Sequence, residues 1–232
     1  MALLTLRLSA ASIKVEDNEA FSKLPPNTNP LLQTLTKRKR LHLHRKHQQM
    51  HAVHTIPAAF SLADCDRILV QAATAVPEDA KLVGQTKDHN IRRADLVWLD
   101  NVPDTGWVMD AIIDLVRVAN RDTYQFDLTE FMESLQVAHY DSAREGHFDW
   151  HSDIGDGRIA AKRKLTLVAQ LSEPDAYVGG LLEVMPSSHT VTANTARGSV
   201  TIFPSYMLHR VTPVTEGRRM SMTVWAHGPA FR

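Results

Sequence analysis

Residues 146–157, GHFDWHSDIGDG, place two His-x-Asp pairs side by side: His147 with Asp149, and His151 with Asp153. On a β-strand, residues two apart point to the same face, so each pair aims an imidazole and a carboxylate at one point. Joined by a distant second histidine, such a pair makes the two-histidine, one-carboxylate set. That set holds Fe(II) through three ligands and leaves the other positions open. Periodicity does not choose between the pairs, because all four residues share one face of a regular strand. Position favours the second, since Asp153 runs into the turn-like IGDG at a strand end where a pocket can open.

The third ligand must come from far along the chain. His209, in FPSYMLHRVTPVTEGRRMSMTVW, is the best candidate. A hairpin turning at Val214 would set His209 opposite Arg219, with Ser221 on the same side of the sheet. Arg218 would then face the other way, and a slip of one residue would exchange the two arginines. A histidine beside a guanidinium and a hydroxyl suits a ligand that chelates a metal at one end and offers a carboxylate at the other.

Positioning these residues is a task for the strand-rich half of the chain. After about residue 133 come short β-type runs: SLQVAHYD, KLTLVAQL, GLLEVM, GSVTIFP and RMSMTVWA, separated by turn signals such as SEPDAYVGG and TPVTEG. Before them, Ser61 can cap a helix with Asp64 in its first turn. A second helix follows Asp104, where Val108, Ala111, Ile112, Leu115 and Ala119 recur at three- and four-residue steps and should pack against a sheet. Helices first and strands after predict an α+β chain ending in a sandwich or barrel.

Composition sets the frame. The 232 residues suffice for one sizeable core, and 44% hydrophobic with 22% charged residues is ordinary for a globular protein. The formal net charge is zero but unevenly spread. Six Lys/Arg lie between Lys37 and Lys46, whereas from Gln48 onward 17 Lys/Arg face 23 Asp/Glu. A wholesale nucleic-acid surface is therefore not favoured for the folded part. Residues 1–50 read as a basic, histidine-rich segment of low order, and residues 51–232 as the folded domain, with its β-core at about 134–226. One cysteine, Cys65, rules out an intrachain disulfide and fits a reducing compartment. No apolar run reaches bilayer length, so no membrane partner is expected. The start, MALLTLRLSAAS, is a poor secretory signal because its charge falls inside the apolar run. An intracellular, cytoplasmic location is expected, with organelle targeting by the N-terminus left open.

Three stretches together carry a family resemblance. Tyr140-DSAREG-HFDW-HSD resembles the Tyr…Gly-x-Phe/Tyr-x-x-His-x-Asp segment of 2-oxoglutarate- and Fe(II)-dependent dioxygenases, nearest to the prolyl 4-hydroxylase-like group and the bacterial PKHD-type hydroxylases. LSEPDAYVGGLLEV resembles that family's Leu-Ser-x-Pro-x-x-Tyr-x-Gly-Gly-x-Leu stretch. FPSYMLHRVTPVTEGRRMS resembles its distal histidine, with an arginine ten residues on and a serine two beyond that. Alignment of Gly146 and Phe148 selects His151 and Asp153, which leaves His147 and Asp149 outside the ligand set, at most touching substrate at a pocket mouth. The resemblance implies Fe(II) on His151, Asp153 and His209, and 2-oxoglutarate on Arg219, with Tyr140 and Ser221 as further donors to it. Gly179 and Gly180 would make a turn, and Phe148 and Trp150 would pack in the core. The implied fold is a double-stranded β-helix, a jelly roll with N-terminal helices packed on the outside.

The implied activity is hydroxylation of a peptidyl, prolyl-like, or small-molecule C–H, with O2 as co-substrate, succinate and CO2 as products, and ascorbate as a candidate reductant. Peptides, proteins or small molecules are the partners to expect, and oligomeric state is open. AlkB-type nucleic-acid demethylation is the rival reading, prompted by the basic run. It lacks the second arginine usual after the cofactor arginine, since the next is Arg232 at the last position. A non-catalytic β-sandwich that binds a ligand in the same pocket is the rival from outside enzymology.

Overall fold

The computed structural model describes residues 53–80 and 88–231, and the basic N-terminal segment, with its boundary at 50, lies outside them. In chain order the elements begin with strand β1 (His54–Ile56) and helix α1 (Leu62–Ala72). Strands β2 (Glu78–Asp79), β3 (Arg92–Arg93) and β4 (Asp95–Trp98) follow, and then helix α2 (Gly106–Ala119). Next come β5 (Gln136–Asp141), β6 (His147–His151), β7 (Arg163–Gln170), β8 (Tyr177–Gly179) and β9 (Leu182–Met185). The last four are β10 (Val191–Thr192), β11 (Val200–Pro204), β12 (Leu208–Val211) and β13 (Val214–His227).

Two antiparallel sheets form the double-stranded β-helix. The larger runs β1-β11-β7-β13-β5-β4-β2, with β8 added to β13, and the smaller runs β10-β9-β12-β6-β3. The helices start where expected. Ser61 caps α1 in a reciprocal box, its hydroxyl accepting from the Asp64 N–H while the Asp64 carboxylate accepts from the Ser61 N–H. Helix α2 buries Val108, Ile112, Val116 and Ala119. They join a core with Val137, Leu165, Leu167, Ala169, Ile202, Met222 and Val224 from the outer face of the large sheet.

Strand alternation then decides what faces inward. On β13, Met222, Val224 and Ala226 belong to the helix-side core. The intervening Arg219, Ser221, Thr223 and Trp225 line a cavity between the sheets. On β7, Leu165, Leu167 and Ala169 face the helices, while Thr166 and Val168 face that cavity.

Two expectations are corrected. The order is not simply helices and then strands, because β4 lies between α1 and α2 in sequence and pairs with β5 in the large sheet, with β2 outside it. A four-residue strand among turn residues gives too few alternations to stand out. The hairpin joining His209 to Arg219 does not form either. His209 pairs with Val184 of β9 and His151 of β6, and Arg219 pairs with Tyr140 of β5. The TPVTEG segment crosses from one sheet to the other instead of folding back within one.

Candidate metal centre and arginine pocket

His151 is the last residue of β6 and stands opposite His209 of β12 in the ladder. Asp153 lies two residues beyond the strand end. His151 Nε2 is 3.7 Å from Asp153 Oδ1, and His209 Nε2 is 3.4 Å from Asp153 Oδ2. One donor atom from each residue falls within 4.8 Å of the other two, and this is the metal-competent cluster among the described residues. Donors held ~2 Å from a common ion need little further approach than this.

Both imidazoles are aimed by their other nitrogen. His151 Nδ1 lies 2.7 Å from the Asp149 carbonyl and His209 Nδ1 lies 3.0 Å from the Met207 carbonyl. Each backbone oxygen accepts the Nδ1 hydrogen and turns Nε2 toward Asp153, the tautomer a metal ligand requires. Phe148 stacks on the His151 ring at 3.5 Å between centroids, and Phe203 meets the His209 ring edge-on at 4.8 Å.

Burial, assisted by the nearby His209, pushes the His151 imidazole down to about 4. It is thus uncharged near pH 7, and its approach to Asp153 is a ligand-like convergence rather than an ion pair. Asp153 is almost wholly buried. Burial alone would raise its carboxyl. His209, His151, a 2.7 Å bond from the Thr166 hydroxyl to Oδ2, and Arg163 outweigh it and hold the group below the usual range.

Arg219 sits in the same cavity, of about 40 Å³, as His151, Asp153 and His209. It is fully buried, and among the described residues no acidic group pairs with its guanidinium, which has Tyr177 as its side-chain contact. Burial lowers its basicity. Tyr140 and Tyr177 favour the cation, and the Tyr140 ring lies 5.4 Å from the guanidinium carbon. A buried cation with no anion is costly, and a carboxylate is the group whose two oxygens match the guanidinium fork. Tyr140 and Ser221, both buried, line this cavity. Arg218 points to the surface and pairs with Asp141 at 2.8 and 2.5 Å.

Two motif glycines serve this geometry by close approach. A Cβ on Gly146 would lie 2.6 Å from the Asp141 nitrogen and 2.8 Å from Tyr140 Cα. Gly180 (φ +59°) follows β8, and a Cβ there would lie 2.8 Å from Val214 Cγ2 and 3.0 Å from Arg219 Cδ.

His147 is outside the cluster. Its ring nitrogens lie 2.8 Å from the Glu145 carbonyl and 3.1 Å from the Asn90 carbonyl. Asp149 accepts from the next backbone N–H, and neither residue lines the cavity or the cleft beside it. Trp150 is corrected from core to wall: it is half-buried, faces that cleft and carries the Arg210 guanidinium over its ring at 4.8 Å. The cleft, of about 980 Å³, shares Arg92, Gln136, Phe148, His151, Asp153 and Trp225 with the small cavity. Sequence reasoning passed over Thr166, the anchor of Asp153, and Arg92, which bonds Gln136 and lies over Phe148 at the junction of the two spaces. The available signal for Thr166 was a polar residue at an inward position of an apolar strand.

The sequence model of the 2OG-Fe(II) oxygenase superfamily matches residues 135–227. A PKHD-type hydroxylase of Hyphomonas neptunium is 42% identical over 71 residues, 31% of this chain and 31% of that protein. A PKHD-type hydroxylase of Synechococcus elongatus is 27% identical over 127 residues, 52% of this chain and 56% of that one. The chain thus spans from about a third to little over half the length of these curated relatives. Among solved structures, a Trichoplax adhaerens prolyl hydroxylase in complex with a hypoxia-inducible factor peptide fragment superposes with a TM-score of 0.66. It covers 84% of this chain and 92% of its own at 19% identity. A Pseudomonas putida prolyl-4-hydroxylase gives 0.59 over 77% of this chain and 94% of its own, also at 19%. Likeness at that identity speaks for the fold alone. Residues 135–227 thus resemble the 2OG-Fe(II) oxygenase superfamily.

Proposed function

We propose that the protein is an Fe(II)- and 2-oxoglutarate-dependent hydroxylase whose metal is held by His151, Asp153 and His209. The observation that carries this reading is Arg219: a fully buried guanidinium with no acidic partner among the described residues, in one cavity with those three residues. Bound together, Fe(II) and 2-oxoglutarate supply an oxidative decarboxylation that puts one oxygen of O2 into succinate and the other into a C–H bond, with loss of CO2.

The chain's own part is to bind, orient and exclude water. Nε2 of each histidine and the Asp153 carboxylate offer one face of ligands and leave the opposite side to other groups. Arg219 takes the distal carboxylate of 2-oxoglutarate through its fork, with Tyr140 and Ser221 as further donors from the same wall. Phe148, Phe203 and Val168 keep the surroundings apolar, which strengthens each charge interaction inside.

The substrate reaches the metal from the larger cleft, past Trp98, Trp150 and Trp225. A prolyl-like peptide segment is favoured by the likeness to the two solved prolyl hydroxylases, and a small molecule is the other occupant of that size class. Ascorbate would serve only to keep the metal reduced. Among the described residues no helix is long and apolar enough to cross a membrane.

The test is an anaerobic titration of the metal-free chain with Fe(II) and 2-oxoglutarate, following the visible charge-transfer band of the chelate, with His209→Ala alongside. A band saturating near one iron per chain and lost in the variant is expected. Folded protein that gives no band would overturn the reading and favour a ligand-binding sandwich.

A further inference from the structure

Asp153 lies outside any strand ladder, so its backbone needs other partners. Its N–H donates to the Ser205 carbonyl at 2.9 Å. Its carbonyl accepts from a side chain, Arg163 Nη1, at 2.9 Å.

That arginine is itself held on every side. Nε donates to Glu133 Oε2 at 2.6 Å and Nη2 donates to Glu133 Oε1. The guanidinium carbon lies over the Trp225 ring, 3.9 Å from its centre. Glu133 is fixed in turn by His227, which is completely buried. His227 Nδ1 accepts from the Met132 N–H, so its Nε2 carries the hydrogen given to Glu133 at 3.0 Å. Burial alone would raise the Glu133 carboxyl, but the bonds from Arg163 and His227 hold it below its ordinary value. An ion pair this enclosed is weak evidence for stability, since removing two charges from water offsets much of their attraction. What it gives is direction, because a doubly bonded fork leaves Arg163 one orientation and aims Nη1 at the Asp153 carbonyl.

We infer that Glu133, Arg163 and His227 are positioning residues that set the backbone of Asp153, and with it the angle at which its carboxylate meets the two histidines. This rests on the reading of Asp153 as a metal ligand. The clamp reaches the cleft as well: Glu133, Arg163 and Trp225 line its wall, so one cluster fixes both a ligand and a side of the substrate space. A lysine cannot replace Arg163, because its point charge does not make the two-point fork to Glu133 while also reaching the Asp153 carbonyl.

The experiment is a titration of the full chain with Co(II) alone, read by its visible d–d absorption, on wild type, Arg163→Lys, Glu133→Gln and Val116→Ala. Val116 is buried in the helix-side core, away from the site, and its truncation controls for lost stability. Circular dichroism checks the fold of each variant, and Glu133→Gln carries the test should Arg163→Lys not fold. Partners one shell out from a metal are typically worth 10–100-fold in its affinity. Both site variants are therefore expected to weaken Co(II) at least ~10-fold and to alter the band shape, while Val116→Ala melts lower but binds as wild type does. Unchanged affinity and band in the site variants would sink the clamp, as would an equal loss in Val116→Ala. A wild type that binds no Co(II) would remove the metal reading of the triad, and the clamp with it.

Discussion

His209 and Arg219 line one cavity from two different sheets. They are ten residues apart in sequence, yet the intervening chain crosses the sandwich between them. β12 ladders with β6 and β9, and β13 ladders with β5 and β7. The proposed metal-binding histidine and carboxylate-binding arginine thus approach one interior from opposite sides. Packed sheets lie ~10 Å apart, and it is across that spacing that the proposed metal and carboxylate sites would face each other.

That geometry separates the two adjacent arginines. Arg219→Met should abolish the rise in melting temperature that 2-oxoglutarate gives the metal-loaded protein. It should also leave the ligand-free protein as stable as wild type or more so, because a buried unpaired charge is replaced by an apolar chain of similar length. Arg218→Ala removes only an exposed pair with Asp141, worth ~0.5 kcal/mol. Melting scans with and without 2-oxoglutarate decide it, and the opposite ranking would mean that the arginine roles are exchanged.

Gly180→Ala offers a test that touches no proposed ligand. At φ +59° a side chain is strained, and the new methyl would press on Arg219 Cδ and Val214. The strain costs ~1–3 kcal/mol, and the displaced guanidinium should raise the KM for 2-oxoglutarate several-fold. Co(II) affinity should stay as in wild type. Equal losses in both would show that Gly180 supports the whole cavity and not the arginine alone.

How much of this was legible beforehand differs from residue to residue. Capping at Ser61 and the apolar face of α2 follow from local chemistry, and both formed as read. The convergence of His151, Asp153 and His209 was legible because three motifs occur in order. The inward direction of Arg219 was legible too, but for the wrong local reason. Alternation puts Arg219 and Arg218 on opposite faces whichever strand lies alongside, so the false hairpin still gave the right face. The partner strand was not legible, since a six-residue turn-like segment can fold back or cross over and only the packing of both sheets chooses. Arg163, Glu133 and His227 were invisible for a related reason. They lie far apart in sequence, each is an ordinary polar residue where it stands, and their meeting depends on the ends of β7 and β13 closing on the segment before β5.

Acid should weaken the metal-free protein before its carboxylates titrate. His151 falls from an unfolded value of ~6.5 to about 4 when folded. Between those values the unfolded chain binds the extra proton, so stability is full above pH ~6.5 and is lost as pH falls toward 4. The total is on the order of 3 kcal/mol. His139, also lowered by burial and by Arg218, adds a loss of the same sign as pH falls below ~6.5. Denaturant midpoints of metal-free protein between pH 7 and pH 4 should therefore fall, and the slope should flatten substantially in His151→Gln. An unchanged slope in that variant would assign the acid loss elsewhere.

Asp153→Ala should abolish metal binding without unfolding the chain. The carboxylate is buried, and the bond that holds it comes from Thr166. When it is gone, the Thr166 hydroxyl keeps a partner in Ser205 Oγ at 3.0 Å, so no donor is stranded. The backbone bonds to Ser205 and Arg163 do not involve the side chain and should persist. What remains is a small cavity and one lost charge-assisted bond, ~1–3 kcal/mol together. The removal of a buried charge offsets part of that cost. The expected result is a native circular dichroism spectrum, a melting temperature within a few degrees of metal-free wild type, and no Fe(II)-dependent turnover of 2-oxoglutarate. Activity retained in this variant would take Asp153 out of the ligand set. A chain that fails to fold would mean that its carboxylate is structural first.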